Sequence, residues 1–219
     1  MSLWIEVSIV LAAYLIGSVP VGYLLVRHFT GQNILEMGSG NMGSTNVRRV
    51  ASRKIAVLTQ LLDMAKGLLP VGVYLCLRST VLGTADIFGG DRLFGTADGN
   101  MASDWLVYGV ALASILGHDF SLFLKFKGGK GVNTTLGASV LLAPLPVFIS
   151  VAVYFIVKWC FKYVSLGSIA LAIAMVISEF LLYGVNGTFH YLLVCMVLIF
   201  VLHYKNIGRL LRHQELLPR

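Results

Sequence analysis

Long apolar runs separated by short polar segments constrain this chain more than any other feature. Clear runs cover residues 3–26, 55–77, 166–183 and 189–202, and a shorter one covers 103–116. A transmembrane helix requires about 20 predominantly apolar residues. Only 12% of the residues are charged, whereas soluble domains average about 25%. The sequence therefore predicts an all-α integral membrane protein in which some spans are short.

The polar segments are too short for a second domain, so residues 1–219 are predicted to form a single membrane domain. The cysteines Cys76, Cys160 and Cys195 fall in or beside apolar runs and show neither a disulfide framework nor metal-ligand spacing. We therefore expect no metal and no cofactor. The N-terminus MSLWIEV has no basic residue before its apolar run, which favours a retained first helix over a cleaved signal peptide.

Residues 132–160 decide the topology, because Pro144 and Pro146 interrupt them. They form either one long kinked helix or two short antiparallel helices joined at 143–146. Two short helices give seven spans, an outside N-terminus, an outward loop at 79–103 and a cytoplasmic C-terminus. The cytoplasmic side then holds 14 of the 17 basic residues. They are Arg27, Arg48, Arg49, Arg53, Lys54, Lys125, Lys127, Lys130, Lys158, Lys162, Lys205, Arg209, Arg212 and Arg219. One long helix would divide the basic residues evenly, so the positive-inside rule favours seven spans.

The first cytoplasmic segment is residues 36–49, EMGSGNMGSTNVRR. Its glycines match G-x-G-x-x-G, but no strand or βαβ unit surrounds them, which excludes a dinucleotide site. Glycines still let backbone N–H groups converge on an anion, and the segment leads into a helix N-terminus. The predicted phosphate-binding residues are Gly38, Ser39, Gly40, Asn41, Gly43, Thr45, Asn46 and Arg49. The alternative is a polar turn whose arginines only set the topology.

The second segment is residues 117–135, GHDFSLFLKFKGGKGVNTT, in which lysines surround three glycines. The Walker A spacing G-x-x-x-x-G-K-[ST] is absent, so a nucleotide phosphate loop is excluded. Backbone donors together with a lysine predict a phosphate site. Its residues are Gly128, Gly129, Lys130 and Gly131.

The third segment is residues 203–215, HYKNIGRLLRHQE. A helix places His203 and Asn206 on one face at i, i+3, where both can hydrogen-bond a hydroxyl or a phosphate. The alternative is a basic helix end that anchors to lipid headgroups. Asp63 and Lys66 have the same i, i+3 spacing inside the second span. Intramembrane charges are functional candidates, but mutual neutralisation on a bundle-facing helix is the simpler interpretation.

Residues 38–49, 117–132 and 203–215 closely resemble the three cytoplasmic motifs of the PlsY family, the bacterial acyl-phosphate:glycerol-3-phosphate acyltransferases. Order, spacing, span count and sidedness also fit. The resemblance implies a multi-pass protein of the bacterial cytoplasmic (inner) membrane whose active site faces the cytoplasm. The implied reaction moves an acyl group from fatty acyl phosphate to the 1-hydroxyl of glycerol 3-phosphate, giving lysophosphatidic acid and phosphate in phospholipid biosynthesis. Membrane lipids are implied partners, and nucleic acid is not.

The resemblance also implies roles for individual residues. Catalytic roles fall on Ser39, Arg49, Lys130, His203 and Asn206. Phosphate binding falls on the glycines of the second segment, and a structural role falls on Glu215. Asp63 and Lys66 are assigned a structural role from their spacing. Departures from the family pattern, including Ser44 and Asn133 where alanine is usual, affect local loop shape and substrate affinity.

An acyl phosphate has a good leaving group, so the chemistry requires alignment and charge balance rather than a covalent intermediate. No histidine begins the signature His-x-x-x-x-Asp, which argues against acyltransferases that use coenzyme A or acyl carrier protein. The main alternative is a membrane transporter for organic phosphates with Asp63 and Lys66 as a gate, although the chain lacks an internal repeat. A weaker alternative is a non-catalytic membrane scaffold that binds anionic lipid.

Overall fold

A computed structural model describes residues 3–82 and 105–215, and in these ranges the regular structure is entirely helical. The α-helices are α1 (Leu3–Ser18), α2 (Val21–Thr30), α3 (Ser44–Val50), α4 (Arg53–Leu82), α5 (Trp105–Asp119), α6 (Val132–Ser139), α7 (Pro144–Phe161), α8 (Val164–Tyr183), α9 (Gly187–Leu202) and α10 (Tyr204–Leu211). Short 3₁₀ turns lie at Ile34–Glu36 and Leu122–Leu124. Most of the predicted outward loop at 79–103 lies outside the described residues.

Five segments of the described chain are long and apolar enough to cross a membrane. They are Leu3–Thr30, Arg53–Thr80, Trp105–Leu124, Pro144–Phe161 and Val164–Tyr183. The helix α9 gives a sixth only together with α10, which is bent from it by 60°. The remaining predicted span corresponds to α6, whose eight residues extend only about 12 Å. The all-α membrane class is confirmed, whereas the count of seven and the orientation stay predictions.

Residues 132–160 form two separate helices. The helix α6 ends at Ser139, and α7 begins at Pro144, where a missing N–H costs nothing in the first turn. The helix α6 packs against α4, and α7 packs against α8. Because the two helices have different neighbours, the structure favours two short helices over one long kinked helix. The predicted joint at 143–146 lies a few residues too late.

The first predicted span, residues 3–26, is also broken. The helix α1 ends at Ser18 and α2 starts at Val21, because Pro20 lacks an N–H and disfavours helical geometry in the residue before it. The extended Leu3–Thr30 segment still meets the length of a membrane span.

Small residues allow the helices to approach closely. A Cβ on Gly17 of α1 would lie 2.1 Å from the carbonyl oxygen of Ser114 on α5. The helices α4 and α6 meet in the same way, since a Cβ on Gly67 or Gly137 would lie within 2.2 Å of backbone oxygen on the facing helix. Such crossings are typical of membrane bundles, where packing replaces the hydrophobic effect between helices.

The main core lies between α4, α5, α6, α8 and α9, and many large apolar side chains face outward instead. Fully buried members of the core include Val71, Val107, Met175 and Leu192. Outward-facing side chains include Leu61, Phe148, Trp159 and Leu181. A smaller core of Val26, Ile34, Met42, Val47 and Ala56 supports the first polar segment. This core holds the segment against α2 and α4.

Candidate active site

The three polar segments meet at one cavity of about 390 Å³. From the predicted set it is lined by Ser39, Asn41, Gly43, Thr45, Asn46, Arg49, Asp63, Lys130, Gly131, His203, Asn206 and Glu215. The predicted residues that do not line it are Gly38, Gly40, Lys66, Gly128 and Gly129. Lys125 and Lys127 are exposed and also lie outside the lining. Of the three lysines in the second segment, Lys130 alone faces the cavity.

Asn46 is the scaffold of the first segment. Its buried side-chain oxygen accepts a hydrogen bond from the Ser39 N–H at 2.9 Å. Its amide nitrogen donates to the carbonyls of Met37 at 3.0 Å and Asn41 at 2.8 Å. Gly38 has a φ of +59°, and a Cβ there would lie 2.2 Å from Asn46 Oδ1. The segment therefore closes around one asparagine, whose predicted contact with phosphate stays a prediction.

Backbone N–H groups of the glycines serve the loops themselves. Gly40 donates to the Met37 carbonyl at 2.9 Å, and Gly43 donates to Asn41 Oδ1 at 2.8 Å. Gly129 donates to the His118 carbonyl at 2.9 Å. These three N–H groups are therefore engaged within the protein. The phosphate-binding role of the two segments stays a prediction.

The sequence suggested that the first segment runs directly into the second span. The structure shows that it does not. The seven-residue helix α3 intervenes, and the chain leaves helical geometry at Ala51 before α4 begins. Ser52 then accepts a hydrogen bond from the Ile55 N–H at 3.3 Å. This additional short helix places Arg48 and Arg49 on the cavity wall.

The second segment is held against the end of α5. A Cβ on Gly129 would lie 1.8 Å from His118 Nε2, so the glycine packs directly on the imidazole ring. The side-chain amide of Asn41 donates to the Gly128 carbonyl at 3.3 Å. This bond joins the first and second segments across 87 positions of sequence. The glycines here provide close packing, which brings Lys130 to the cavity.

The imidazole of His203 has a defined tautomer. His203 follows the last residue of α9, and its Nδ1 lies 2.8 Å from the Ile199 carbonyl oxygen. Because a carbonyl only accepts, Nδ1 carries the proton and Nε2 is the unprotonated nitrogen of the neutral ring. Burial lowers the pKa of His203 to about 4, and the ammonium of Lys130 contributes. At neutral pH this side chain can therefore accept a proton at Nε2.

Asn206 joins two charged groups. Its side-chain oxygen accepts a hydrogen bond from the Lys130 ammonium, and its amide nitrogen donates to Glu215 Oε1 at 2.6 Å. Glu215 Oε2 pairs with Arg209 Nε at 3.0 Å. One buried carboxylate thus orients the amide that contacts Lys130.

Positive charge dominates this end of the cavity. Burial lowers the pKa of Lys130 to about 8, with Glu215 opposing the change and Arg209 and Arg49 adding to it. The cations of Lys130, Arg209 and Arg49 share one carboxylate, that of Glu215. A bound anion would therefore offset the excess positive charge. The arrangement suits a phosphate group.

Part of the cavity wall is apolar. It is formed by α4, α6, α7 and α8 and includes Met64, Leu136, Val151, Phe155 and Leu171. Val57 and Phe155, which also line the cavity, are substantially exposed. The cavity therefore combines a cationic end with a surface that fits a hydrocarbon chain.

Asp63 and Lys66 form the expected ion pair, with Lys66 Nζ 3.1 Å from Asp63 Oδ1. Lys66 also donates to the Val19 carbonyl at 3.0 Å. His118 Nδ1 lies 3.5 Å from the same Asp63 oxygen. Sequence reasoning missed His118, because no periodicity or spacing links it to Asp63. The cluster connects the second span to the ring on which Gly129 packs.

Sequence reasoning also missed Arg48, Tyr154 and Lys158, which line the cavity. Arg48 and Lys158 entered the sequence interpretation only as charges that set the topology. Adjacency to Arg49 in a short helix is the one signal that points to Arg48. No local signal distinguishes Lys158 from other basic residues at helix ends.

The chain matches the family model described as glycerol-3-phosphate acyltransferase over residues 7–213. It is 37% identical over 212 residues to the glycerol-3-phosphate acyltransferase of Clostridium acetobutylicum, covering 96% of this chain and 98% of that protein. It is 39% identical to the protein of the same name from Wolbachia pipientis subsp. Culex pipiens, covering 94% and 95% of the two chains.

Comparison with solved structures gives the same family as the sequence relatives. The fold is similar to the crystal structure of PlsY, an integral membrane glycerol 3-phosphate acyltransferase, in its glycerol 3-phosphate form. The TM-score is 0.80 at 31% identity, over 97% of this chain and 94% of that one. The lysophosphatidic acid form gives a TM-score of 0.78 at 30% identity. The cationic cavity in a helical membrane bundle and the match over nearly the whole chain lead to one conclusion: this chain belongs to the PlsY family of integral membrane glycerol-3-phosphate acyltransferases.

Proposed function

We propose that this protein transfers a fatty acyl group from acyl phosphate to the 1-hydroxyl of glycerol 3-phosphate, releasing lysophosphatidic acid and inorganic phosphate. The observation that carries the proposal is a cavity with partly buried cations at one end and apolar side chains along part of its wall. Such a cavity suits a phosphorylated acyl chain together with a small organic phosphate. Family membership and the glycerol 3-phosphate form of the related structure support the acceptor.

The proposed reaction is a direct substitution at the acyl carbonyl carbon. The 1-hydroxyl oxygen of glycerol 3-phosphate forms a bond to that carbon, and the bond between the carbon and the phosphate oxygen breaks. The phosphate leaves with the electron pair, and the hydroxyl proton passes either to His203 Nε2 or to an oxygen of a substrate phosphate. Arg49 and Lys130 stabilise the charge of the phosphate groups, and Ser39 donates a hydrogen bond. Alignment supplies much of the rate enhancement, because a positioned hydroxyl replaces a bimolecular encounter.

The test uses the purified protein in detergent with palmitoyl phosphate and glycerol 3-phosphate. We expect lysophosphatidic acid, identified by mass spectrometry, and phosphate release that requires glycerol 3-phosphate. Palmitoyl-coenzyme A should give no product. Lys130→Ala should raise the KM for phosphorylated substrate by about tenfold or more, whereas Lys127→Ala, an exposed lysine outside the cavity, should match the wild type.

Three results would contradict the proposed reaction. No acyl transfer from palmitoyl phosphate by folded protein would exclude the proposed donor. Uptake of glycerol 3-phosphate into protein-containing liposomes without acyl transfer would instead support the alternative function, a membrane transporter for organic phosphates. Equal activity with palmitoyl-coenzyme A would contradict the acyl phosphate specificity.

We also propose seven spans in the bacterial inner membrane, an outside N-terminus, a cytoplasmic C-terminus and a site that faces the cytoplasm. Ser52 directly precedes α4 and Thr80 lies near its C-terminal end, about 42 Å away along the helix axis. In a cysteine-free background, Ser52→Cys should react with a membrane-impermeant maleimide only after the inner face is opened. Thr80→Cys should react from outside in intact cells. The reverse pattern would invert the proposed topology.

A further inference from the structure

The helix α10 turns away from the direction of the last long apolar helix. It is bent from α9 by 60°, which inclines it toward the plane of the membrane surface. The helix α9 has 16 residues and is therefore about 24 Å long, whereas the hydrocarbon core of a bilayer is about 30 Å thick. A span this short brings the start of α10 to the boundary between hydrocarbon and water.

The surface of α10 has three distinct sides. Asn206 is buried on the side that faces the cavity. Successive helical residues point about 100° apart, so Tyr204 and Leu211, seven positions apart, form an apolar edge on nearly the opposite side. These two side chains are 65% and 79% exposed. A cationic side lies between the other two. It carries Lys205 and Arg212, which directly follows the helix, and both are exposed.

The apolar edge of α10 continues a lipid-facing surface of α9. Val194, Val197 and Val201 are exposed on α9, and they recur at the three- and four-residue spacing of one helix face. Tyr204 follows Val201 by three positions. An exposed apolar stripe on a membrane helix is covered by lipid, and its continuation onto α10 indicates that the same bilayer covers the edge of that helix.

The cationic side of α10 indicates which headgroups it meets. Residues 204–219 contain one acidic residue, Glu215, which is buried and paired with Arg209. Within residues 3–82 and 105–215, neither Lys205 nor Arg212 forms an ion pair with a carboxylate. Amphipathic helices with exposed cations lie in the membrane interface and are attracted to anionic lipid.

We propose that the outer face of α10 docks on the bilayer and binds the headgroups of anionic phospholipids. This face consists of Tyr204, Lys205, Leu211 and Arg212. The two apolar side chains enter the hydrocarbon boundary, and the two cations contact lipid phosphate. None of the four lines the cavity. The proposal therefore goes beyond the proposed acyl transfer, because it concerns bulk phospholipid and does not depend on turnover.

Docking of α10 also acts on the site. Asn206 lies on the opposite side of the same helix and contacts Lys130. Holding α10 at the membrane surface therefore holds the amide against the ammonium. The sequence offered lipid anchoring and a role in the site as alternatives for this segment. The helix places the two on different faces, so one segment can do both.

The first test measures the depth of α10 with spin labels on single cysteines in a cysteine-free background. The protein is reconstituted in nanodiscs of phosphatidylcholine and phosphatidylglycerol. The label on Leu211→Cys should be more accessible to oxygen, which concentrates in lipid, than to a water-soluble nickel complex. The label on Lys205→Cys should show the reverse order. Greater nickel access at both positions would place the helix in water and overturn the docking.

The second test measures lipid preference by Tm in neutral detergent. Phosphatidylglycerol should raise the Tm of the wild type more than phosphatidylcholine does. The double variant Lys205→Gln/Arg212→Gln should need about tenfold more phosphatidylglycerol for the same shift, since each basic residue near an anionic surface contributes about fivefold. Raising NaCl to about 0.5 M should weaken the response of the wild type in the same direction.

The matched control is Lys54→Gln/Lys162→Gln, which removes two exposed cations from the ends of other helices. It has the same net charge as the α10 variant and should respond to phosphatidylglycerol as the wild type does. An equal loss in the control would assign the preference to net charge and overturn the proposal. Equal protection of the wild type by phosphatidylcholine would also overturn it.

The effect on the site is measured as kcat at saturating substrate. The kcat of the wild type should be higher in nanodiscs that contain phosphatidylglycerol than in phosphatidylcholine alone, and the α10 variant should lose this gain. Equal wild-type kcat in both lipids would refute the coupling to Asn206. Protein that transfers no acyl group but shows the expected label depths and Tm response would refute the proposed reaction and retain the docking surface.

Discussion

Asn206 donates a hydrogen bond from its side-chain amide nitrogen to Glu215 Oε1 at 2.6 Å. Because the nitrogen is engaged there, the amide oxygen faces Lys130 and accepts from its ammonium. Glu215 also pairs with Arg209 at 3.0 Å. The carboxylate of Glu215, for which the sequence predicted a structural role, thus orients the amide that contacts Lys130.

Glu215→Ala should lower kcat/KM by about ten- to hundredfold, since losing one partner of a buried, charge-assisted hydrogen bond costs about 1–3 kcal/mol. The amide of Asn206 would then be free to turn away from Lys130. Glu215→Gln keeps an acceptor for Asn206 but loses the ion pair, so its loss should be smaller. Steady-state kinetics on the two variants measures the difference, and wild-type kinetics for Glu215→Ala would contradict the orienting role.

Gly129→Ala should strongly reduce activity or folding, because the new Cβ would lie 1.8 Å from His118 Nε2. The ring cannot easily move, since His118 is buried against Asp63. Gly208→Ala is the control, as a Cβ on that helical glycine meets nothing within 4 Å. The measurements are Tm and kcat/KM in detergent. Comparable behaviour of the two variants would disprove the packing argument.

Substrate binding should depend on the charge of Lys130. Its pKa is lowered to about 8 by burial, so the ammonium is present below that pH and is lost as the pH rises through it. In the ligand-free protein, phosphate binding should therefore weaken above about pH 8. The KM for glycerol 3-phosphate measured between pH 6 and 10 should show this inflection. Lys130→Arg, which stays charged throughout, should abolish it, and persistence of the inflection in that variant would assign it to another group.

His203→Gln should reduce kcat by about 10²–10⁴, the usual contribution of a general base, with a smaller change in KM. The wild-type kcat should fall as the pH drops through about 4, because protonation of His203 removes the acceptor at Nε2. A variant that keeps most of its kcat and shows only a raised KM would make His203 a binding residue.

Asp63→Asn should destabilise the protein by about 3–5 kcal/mol, because it leaves the buried Lys66 ammonium without its partner. Asp63→Asn combined with Lys66→Met removes both charges and should recover much of the loss. Thermal unfolding in detergent compares the single and double variants. If the loss of stability in the double variant equals the sum of the losses in the two single variants, the two side chains do not stabilise each other.

Sequence patterns predicted most of the helices because membrane insertion depends on local composition. The predicted spans at 55–77 and 166–183 lie inside α4 and α8. The breaks at Pro20 and before Pro144 shifted the predicted boundaries, and α6 is too short to be recognised by length. Its position depends on the close contact with α4 at Gly137, which no local pattern reveals.

The sequence by itself determined the membrane environment and the chemical groups of the site, because apolar length and residue type are local properties. Tertiary structure decided which groups meet the cavity. It paired the N–H groups of Gly40 and Gly129 with backbone carbonyls and brought the charged side chains of Arg49 and Lys130 to the cavity. It also placed Arg48 and Lys158, which are far apart in the sequence, on the lining of the same cavity. The physical reason is that these outcomes depend on helix rotation and on contacts between residues far apart in the chain.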